Sequence, residues 1–248
     1  MTTWPDHLDR VVLDQIDSTN REAERRAKAG IDRPIWLAAR HQTAGRGRQG
    51  RAWESPGGNL YATYLEPTEL PPSQAALIGF VAALAVADAL IALAPNIDVQ
   101  TKWPNDVLLN GAKASGILLE RFSGKQNALA VGIGINLAEH PPQHVTRWRA
   151  TSLRAETGSA PEFDTALLEL ASAFDRWRQV FQTAGFLAIR TAWLARAARL
   201  GAEIEVRLEK EVITGRFDDL DAEGGLVLDV GARQRRVAAG DVFFPGGS

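Results

Sequence analysis

No cysteine occurs in the 248 residues. That excludes disulfides, thiolate nucleophiles and cysteine-based zinc sites, and it fits a cytoplasmic protein. Histidine is nearly as scarce, and His7, His41, His140 and His144 show no metal-ligand spacing. Neither sign of charge is in excess: 28 Lys and Arg stand against 30 Asp and Glu, so no basic stripe for nucleic acid is expected. The first ten residues carry Asp6, Asp9 and Arg10 without an apolar run, so no secretory signal is expected. One stretch, 75–94, has the length of a membrane span. It contains Asp88, is dominated by alanine and lacks flanking Lys or Arg. With Ser73 placed to cap it and Pro95 beyond it, it reads as a buried core helix, and no membrane partner is expected.

Short apolar runs predict strands near 11–16, 35–39, 60–65, 97–101, 115–121 and 128–135. A helix is expected over 18–30, with Thr19 and Glu22 at capping-box spacing and Gly30 closing it. Two more helical patterns cover 165–183 and 186–200. Strands and helices mix without strict βαβ alternation, which predicts an α+β fold. From Gly201 the composition changes to short β-rich runs between Asp, Glu and Gly turns. Residues 1–200 therefore read as one larger domain and 201–248 as a separate small β-barrel of SH3-like size. "RQRR" (233–236) reads as a charged strand edge.

The most unusual stretch is "GRGRQGR" (45–51). Gly45, Gly47 and Gly50 satisfy G-x-G-x-x-G, but "AWESPGGNLYATYLE" follows, which reads as turn then strand. A dinucleotide-binding unit needs a helix there and is excluded on context. No G-x-x-x-x-G-K-[ST] occurs, so the P-loop is excluded as well. Three further stretches share the loop's polarity. "KWPND" (102–106) groups Lys102, Asn105 and Asp106 around a Trp-Pro turn, "KASGILLE" (113–120) sets Lys113 at a strand entry, and "GIGIN" (132–136) ends a strand on Asn136. Glycines admit a ligand close to the backbone, and arginines grip carboxylate or phosphate bidentately. Together with two lysines and an aspartate, they suit a nucleoside triphosphate, a magnesium ion and a second anionic substrate.

In order and spacing, "STN" (18–20), "QTAGRGRQGRAW" (42–53), "KWPNDVLLNGAKASGILLE" (102–120) and "VGIGIN" (131–136) resemble the biotin protein ligases. The resemblance spans about residues 11–140 and continues into the C-terminal barrel. It implies a mixed-sheet catalytic domain of the biotin/lipoate ligase type followed by an SH3-like barrel. It also implies an activity in two steps. Biotin and ATP give biotinyl-5′-adenylate and pyrophosphate, and biotin then passes to one lysine of a biotin carboxyl carrier domain. ATP with Mg2+ and biotin would be substrates, with no tightly bound organic cofactor. Members that repress transcription carry a helix-turn-helix before the first motif. Here that motif starts at Ser18, which leaves no room for it, so no DNA partner is expected; the protein would be a monomer or homodimer.

Residue by residue, the resemblance assigns Arg48, Asp106 and Lys113 to catalysis. Biotin would meet Ser18, Thr19, Asn20, Gln42, Arg46, Gly47, Arg48, Lys113 and Gly116. ATP and the adenylate would meet Gly45, Arg46, Arg48, Arg51, Trp53, Asn105, Lys113 and Asn136, with Asn136 a candidate for magnesium. Arg48 and Lys113 would draw carboxylate and α-phosphate together, and Asp106 would orient or deprotonate the carrier lysine. The adenine-stacking tryptophan of some members falls on or near Ala150, with Trp148 just before it. A lipoate or octanoate ligase or transferase of the same fold is the alternative, against which GRGRQGR and KWPND argue.

Overall fold

A computed structural model describes residues 3–142, 148–231 and 233–244; His144 lies outside them. The apolar runs of the first 135 residues fold into one seven-stranded sheet. Its strands are β1 (Asp9–Ile16), β2 (Ile35–Gln42), β3 (Leu60–Pro67), β4 (Val99–Lys102), β5 (Asp106–Leu109), β6 (Ala112–Phe122) and β7 (Ala128–Ile135). Their spatial order is β1-β2-β3-β7-β6-β5-β4. Only β1 and β2 run parallel; the other neighbours are antiparallel. The sheet is mixed and the class α+β.

Side chains alternate across the strands, so each face collects its own partners. On one face α1 (Thr19–Ala29) sets Ala23 and Ala27 against Leu37, Leu65, Ala128 and Ala130. On the other, Trp36 and Ala38 join the core beneath α2 (Pro72–Leu93) and α4 (Phe163–Leu194). The apolar stretch is thus a core helix: α2 lies between sheet and α4 and buries residues all round. It starts at Pro72, with Pro71 as its cap, and Ser73 makes no cap. Proline suits the first helical turn because its missing N–H has no helical acceptor.

Two local expectations are overridden by tertiary bonding. At α1 the capping box does not form. Ser18 is the cap residue without a side-chain cap bond, Glu22 pairs with Arg25 and Arg26, and Thr19 turns inward to Gln42. The last helix ends at Leu194, not 200, because the following backbone pairs with β4. Thr101 N donates to Arg196 O at 2.9 Å, and Ala198 N to Thr101 O at 2.8 Å. The break between the two helical patterns falls at Gly185, whose φ of 72° interrupts α4.

Two features between β4 and β6 escaped the sequence reading. The Trp103–Pro104 bond is cis, and Lys102 stands opposite Asp106 across the β4–β5 turn. Then Asn110 and Gly111, with φ of 47° and 76°, make a tight Asn-Gly hairpin turn into β6. Helix α3 (Leu153–Thr157) follows β7, capped by Ser152.

The C-terminal strands β8 (Glu203–Arg207), β9 (Val212–Leu220), β10 (Leu226–Asp229), β11 (Gln234–Val237) and β12 (Asp241–Phe243) form an antiparallel sheet in the order β11-β10-β9-β8-β12. This is the SH3-like element, and "RQRR" runs into its edge strand β11. The compositional break at Gly201 is not a break in the core. Ile204, Phe217, Leu220 and Val242 belong to the same apolar cluster as α2 and α4. Trp103 Nε1 also donates to Gly224 O at 3.0 Å.

Candidate active site

Beyond the N-terminus of α1, the sheet face it covers opens into a cavity of about 140 Å³. Glycines make its floor. Gly116 on β6 and Gly134 on β7 are register partners, and the Trp53 indole lies across both. A Cβ at Gly116 would stand 2.8 Å from that ring, and one at Gly134 would stand 2.6 Å from it. Gly132, two residues back, leaves room for the Asn20 amide, whose oxygen would be 2.1 Å from an added Cβ. Any larger residue at these positions would strike the Trp53 indole or the Asn20 amide.

One end of the cavity is neutral and polar. Ser18, Thr19 and Gln42 are buried there. Gln42 Oε1 accepts from Thr19 N at 2.8 Å, and Gln42 Nε2 donates to Ser55 Oγ at 3.0 Å. A neutral ligand rich in N–H and C=O groups can exchange with such bonds without adding a buried charge.

The other end is ionic. Asp106 is buried between two ammonium groups, with Lys113 Nζ 2.6 Å from Oδ1 and Lys102 Nζ 3.4 Å from Oδ2. Burial opposes ionisation of Asp106, yet Lys113 and Lys102 outweigh it and hold its carboxyl below the usual range. Lys102 is also pushed down. It shares one carboxylate with Lys113, and burial prevails over that half share. Its ammonium lies 4.4 Å from the Trp148 ring centroid, and Trp148 in turn packs edge-on against Phe244 at 4.7 Å. Ala150 carries no ring; it bridges Lys113. Trp148 is thus the aromatic surface against Lys102, while the Lys113 ammonium lies 5.5 Å from the Trp53 ring centroid.

The arginine loop roofs the cavity as a small hairpin. Gly47 N donates to Arg51 O and Trp53 N to Gly45 O, and no α-helix follows, as the exclusion of a dinucleotide unit requires. A residue with a side chain at Gly45 would strike Trp53 O at 2.4 Å. Arg48 Nη1 donates to Asn105 Oδ1 at 3.0 Å, so the loop and the KWPND turn meet over the cavity. Arg51 reaches Asp241 of β12 at 2.5 Å. The Trp53 indole N–H is buried and finds no hydrogen-bond partner among the described residues.

Of the residues singled out from the sequence, Ser18, Thr19, Asn20, Gln42, Arg46, Gly47, Arg48, Arg51, Trp53, Asn105, Asp106, Lys113 and Gly116 all line this one cavity. Gly45 lies outside it, beneath Trp53. Asn136 is not brought to it: the side chain is buried and gives its amide N–H to Thr151 O at 3.0 Å. Reading the sequence missed Lys102 as a partner of Asp106, although its place in KWPND was a signal. It missed Gly134, which the i, i+2 glycines of GIGIN could have indicated. Asp241 and Val242 of the barrel carried no signal.

Known proteins match this chain over most of its length. The model of the biotin/lipoate A/B protein ligase family matches residues 12–137, and that of the biotin protein ligase C-terminal domain matches residues 200–244. The chain belongs to the biotin/lipoate protein ligase family. Within it, the chain is 44% identical to a biotin–[acetyl-CoA-carboxylase] ligase of Paracoccus denitrificans, over 95% of this chain and 100% of that one. A Mycobacterium tuberculosis protein of the same name is 33% identical over 93% of this chain and 87% of its own length. A solved biotin protein ligase from Aquifex aeolicus, in complex with biotin and ATP, superposes with a TM-score of 0.81. It is 29% identical and covers 95% of this chain and 97% of its own.

Proposed function

We infer that this protein is an ATP-dependent biotin protein ligase, which activates biotin as biotinyl-5′-adenylate and transfers it to a lysine of a carboxyl carrier domain. The observation that carries this reading is the two-ended cavity: a neutral hydrogen-bonding end at Thr19 and Gln42, and an ionic end at Lys102, Asp106 and Lys113. Biotin has that polarity, with an uncharged ureido ring at one end and a carboxylate at the other. The similarity to ligases named for biotin supports the same choice.

In the first step a biotin carboxylate oxygen attacks the α-phosphorus of ATP, and pyrophosphate leaves. Two anions must approach, and Arg48 and Lys113 offset their repulsion. In the second step the neutral amine of the carrier lysine attacks the acyl carbon, AMP leaves with the bonding electrons, and the amine loses a proton. Asp106 is a poor proton acceptor while two ammonium groups sit on it. When Lys113 turns to the α-phosphate, one of those cations is withdrawn and the basicity of Asp106 rises. Magnesium enters as part of MgATP, on the nucleotide phosphates. Asp106 is taken up by two lysines and Asn136 does not line the cavity, so these side chains form no ready magnesium cage. Trp148 is the aromatic surface offered to adenine. The enzyme is read as cytoplasmic, with a carrier protein as partner.

Mass spectrometry of a biotin carboxyl carrier domain after incubation with the protein, biotin and MgATP tests this reading. A mass increase of one biotinyl group on one lysine is expected. Modification with lipoate or octanoate but not with biotin would overturn it in favour of the alternative.

A further inference from the structure

The hydrogen bonds beneath the cavity form one chain that begins and ends on the arginine loop. At the C-terminal end of the loop, Ser55 Oγ donates to Trp53 O at 3.0 Å. Gln42 Nε2 donates to Ser55, and Gln42 Oε1 accepts from Thr19 N. Thr19 Oγ1 lies 2.8 Å from Thr63 Oγ1, which lies 2.7 Å from Asn20 Oδ1. An amide oxygen has no proton to give, so Thr63 donates to Asn20 and accepts from Thr19. Asn20 Nδ2 then donates to Glu120 Oε2 at 2.8 Å. Glu120 Oε1 closes the circuit on Arg46 Nη2 at 3.0 Å, at the N-terminal end of the loop.

Glu120 sits on β6 outside the cavity lining, with its side chain about one-fifth exposed. It faces two donors at once, an amide N–H and a guanidinium. Only a side chain with two acceptor oxygens serves both; a glutamine would turn its own NH2 toward one of them. We propose that Glu120 is a positioning residue that closes the arginine loop over the biotin site, holding Arg46 while Asn20 ties the same carboxylate to the pocket floor. A ligand that exchanges bonds with Thr19 and Gln42 thereby acts on both ends of the loop. The proposal rests on the reading of the cavity as the biotin site.

The test is tryptic cleavage after Arg48 and Arg51, read by mass spectrometry, in wild type, Glu120→Gln, Arg46→Gln and the double variant, with and without biotin. Biotin binding is measured in parallel by calorimetry. Biotin is expected to slow cleavage of the wild type. Glu120→Gln should speed cleavage of the biotin-bound form by about fivefold, the upper range for a partly exposed charge pair. Arg46→Gln should do the same from the other side of the contact, and the double variant should be no worse than either single one. Thermal midpoints without ligand should stay within about 3 °C, since the contact ties down a loop and not the core. Protection of Glu120→Gln equal to wild type, or full additivity of the two substitutions, overturns the proposal. Absence of biotin binding by the wild type overturns the reading of the cavity and the proposal with it.

Discussion

Replacing Asp106 by asparagine keeps the shape of the side chain and removes the carboxylate between two ammonium groups, leaving Lys102 only the weaker pull of Asp241. Lys113, with its side chain 26% exposed, can turn toward water, but Lys102 is only 7% exposed and has nowhere to go. Stripping one partner from a buried pair costs about 3–5 kcal/mol. Lys102 can limit that cost by giving up its proton. Each pH unit below the ordinary lysine value of about 10.4 is worth about 1.4 kcal/mol, so the ceiling at pH 7 is about 4.6 kcal/mol. At pH 9 the ceiling falls to about 1.9 kcal/mol by the same relation. The sign follows from linkage. Lys102 is depressed in the folded state, and more so without Asp106, so the folded state binds fewer protons. Stability therefore rises with pH through the window between the folded and unfolded values, and is lost as pH falls through the folded one. The wild-type contribution of Asp106 is itself depressed-type: present above the ordinary carboxylate range, lost only in acid, and constant between pH 7 and 9. Urea unfolding followed by tryptophan fluorescence should find Asp106→Asn less stable by about 3–4.6 kcal/mol at pH 7, with the gap narrowing by about 1–3 kcal/mol at pH 9. A gap below about 1 kcal/mol at pH 7, or one that does not change with pH, would refute the argument that Lys102 is a buried cation held by Asp106.

Lys113→Ala should slow biotin-dependent exchange of pyrophosphate into ATP by about 10²–10³, the usual cost of one electrostatic donor to a transition state; a loss below tenfold would remove Lys113 from that step. Arg48→Gly breaks the bond to Asn105 that joins loop to turn, and should let biotinyl-5′-adenylate escape. Blotting for biotin on an unrelated bystander protein checks this, and labelling no higher than with wild type counts against Arg48 as the clamp. Gly134→Ala places a methyl group 2.6 Å from the Trp53 ring, so the indole must leave the floor. Calorimetry should show biotin binding at least about tenfold weaker, consistent with disrupted packing worth about 1.4 kcal/mol or more; unchanged affinity would mean that the glycine floor is not the biotin seat.

Much of the site was legible in the sequence because its chemistry is carried by short contiguous segments. Three glycines among three arginines, two charged residues around a Trp-Pro turn, and glycines at strand spacing each state a local requirement for space or charge. The lengths of the apolar runs likewise gave the seven-stranded region except β5, four residues set between the Trp-Pro turn and the Asn-Gly turn. Pairings between distant segments were beyond reach. Thr19 has capping-box spacing to Glu22, yet tertiary hydrogen bonds to Gln42 and Thr63 outweigh a local cap. The last helix has residues enough to reach 200, yet β4 takes its backbone bonds from Arg196 onward. Asn136 ends a motif full of site residues, but Thr151, which folds back beside Lys113 of β6, claims its side chain. Asp241 reaches Arg51 across 190 positions, and Glu120 reaches Asn20 across 100. A segment can specify which groups it carries and how its own backbone bends. Which of those groups meet is decided by the burial that brings separate strands and the barrel onto one core, where leaving a buried donor or acceptor without a partner is costly.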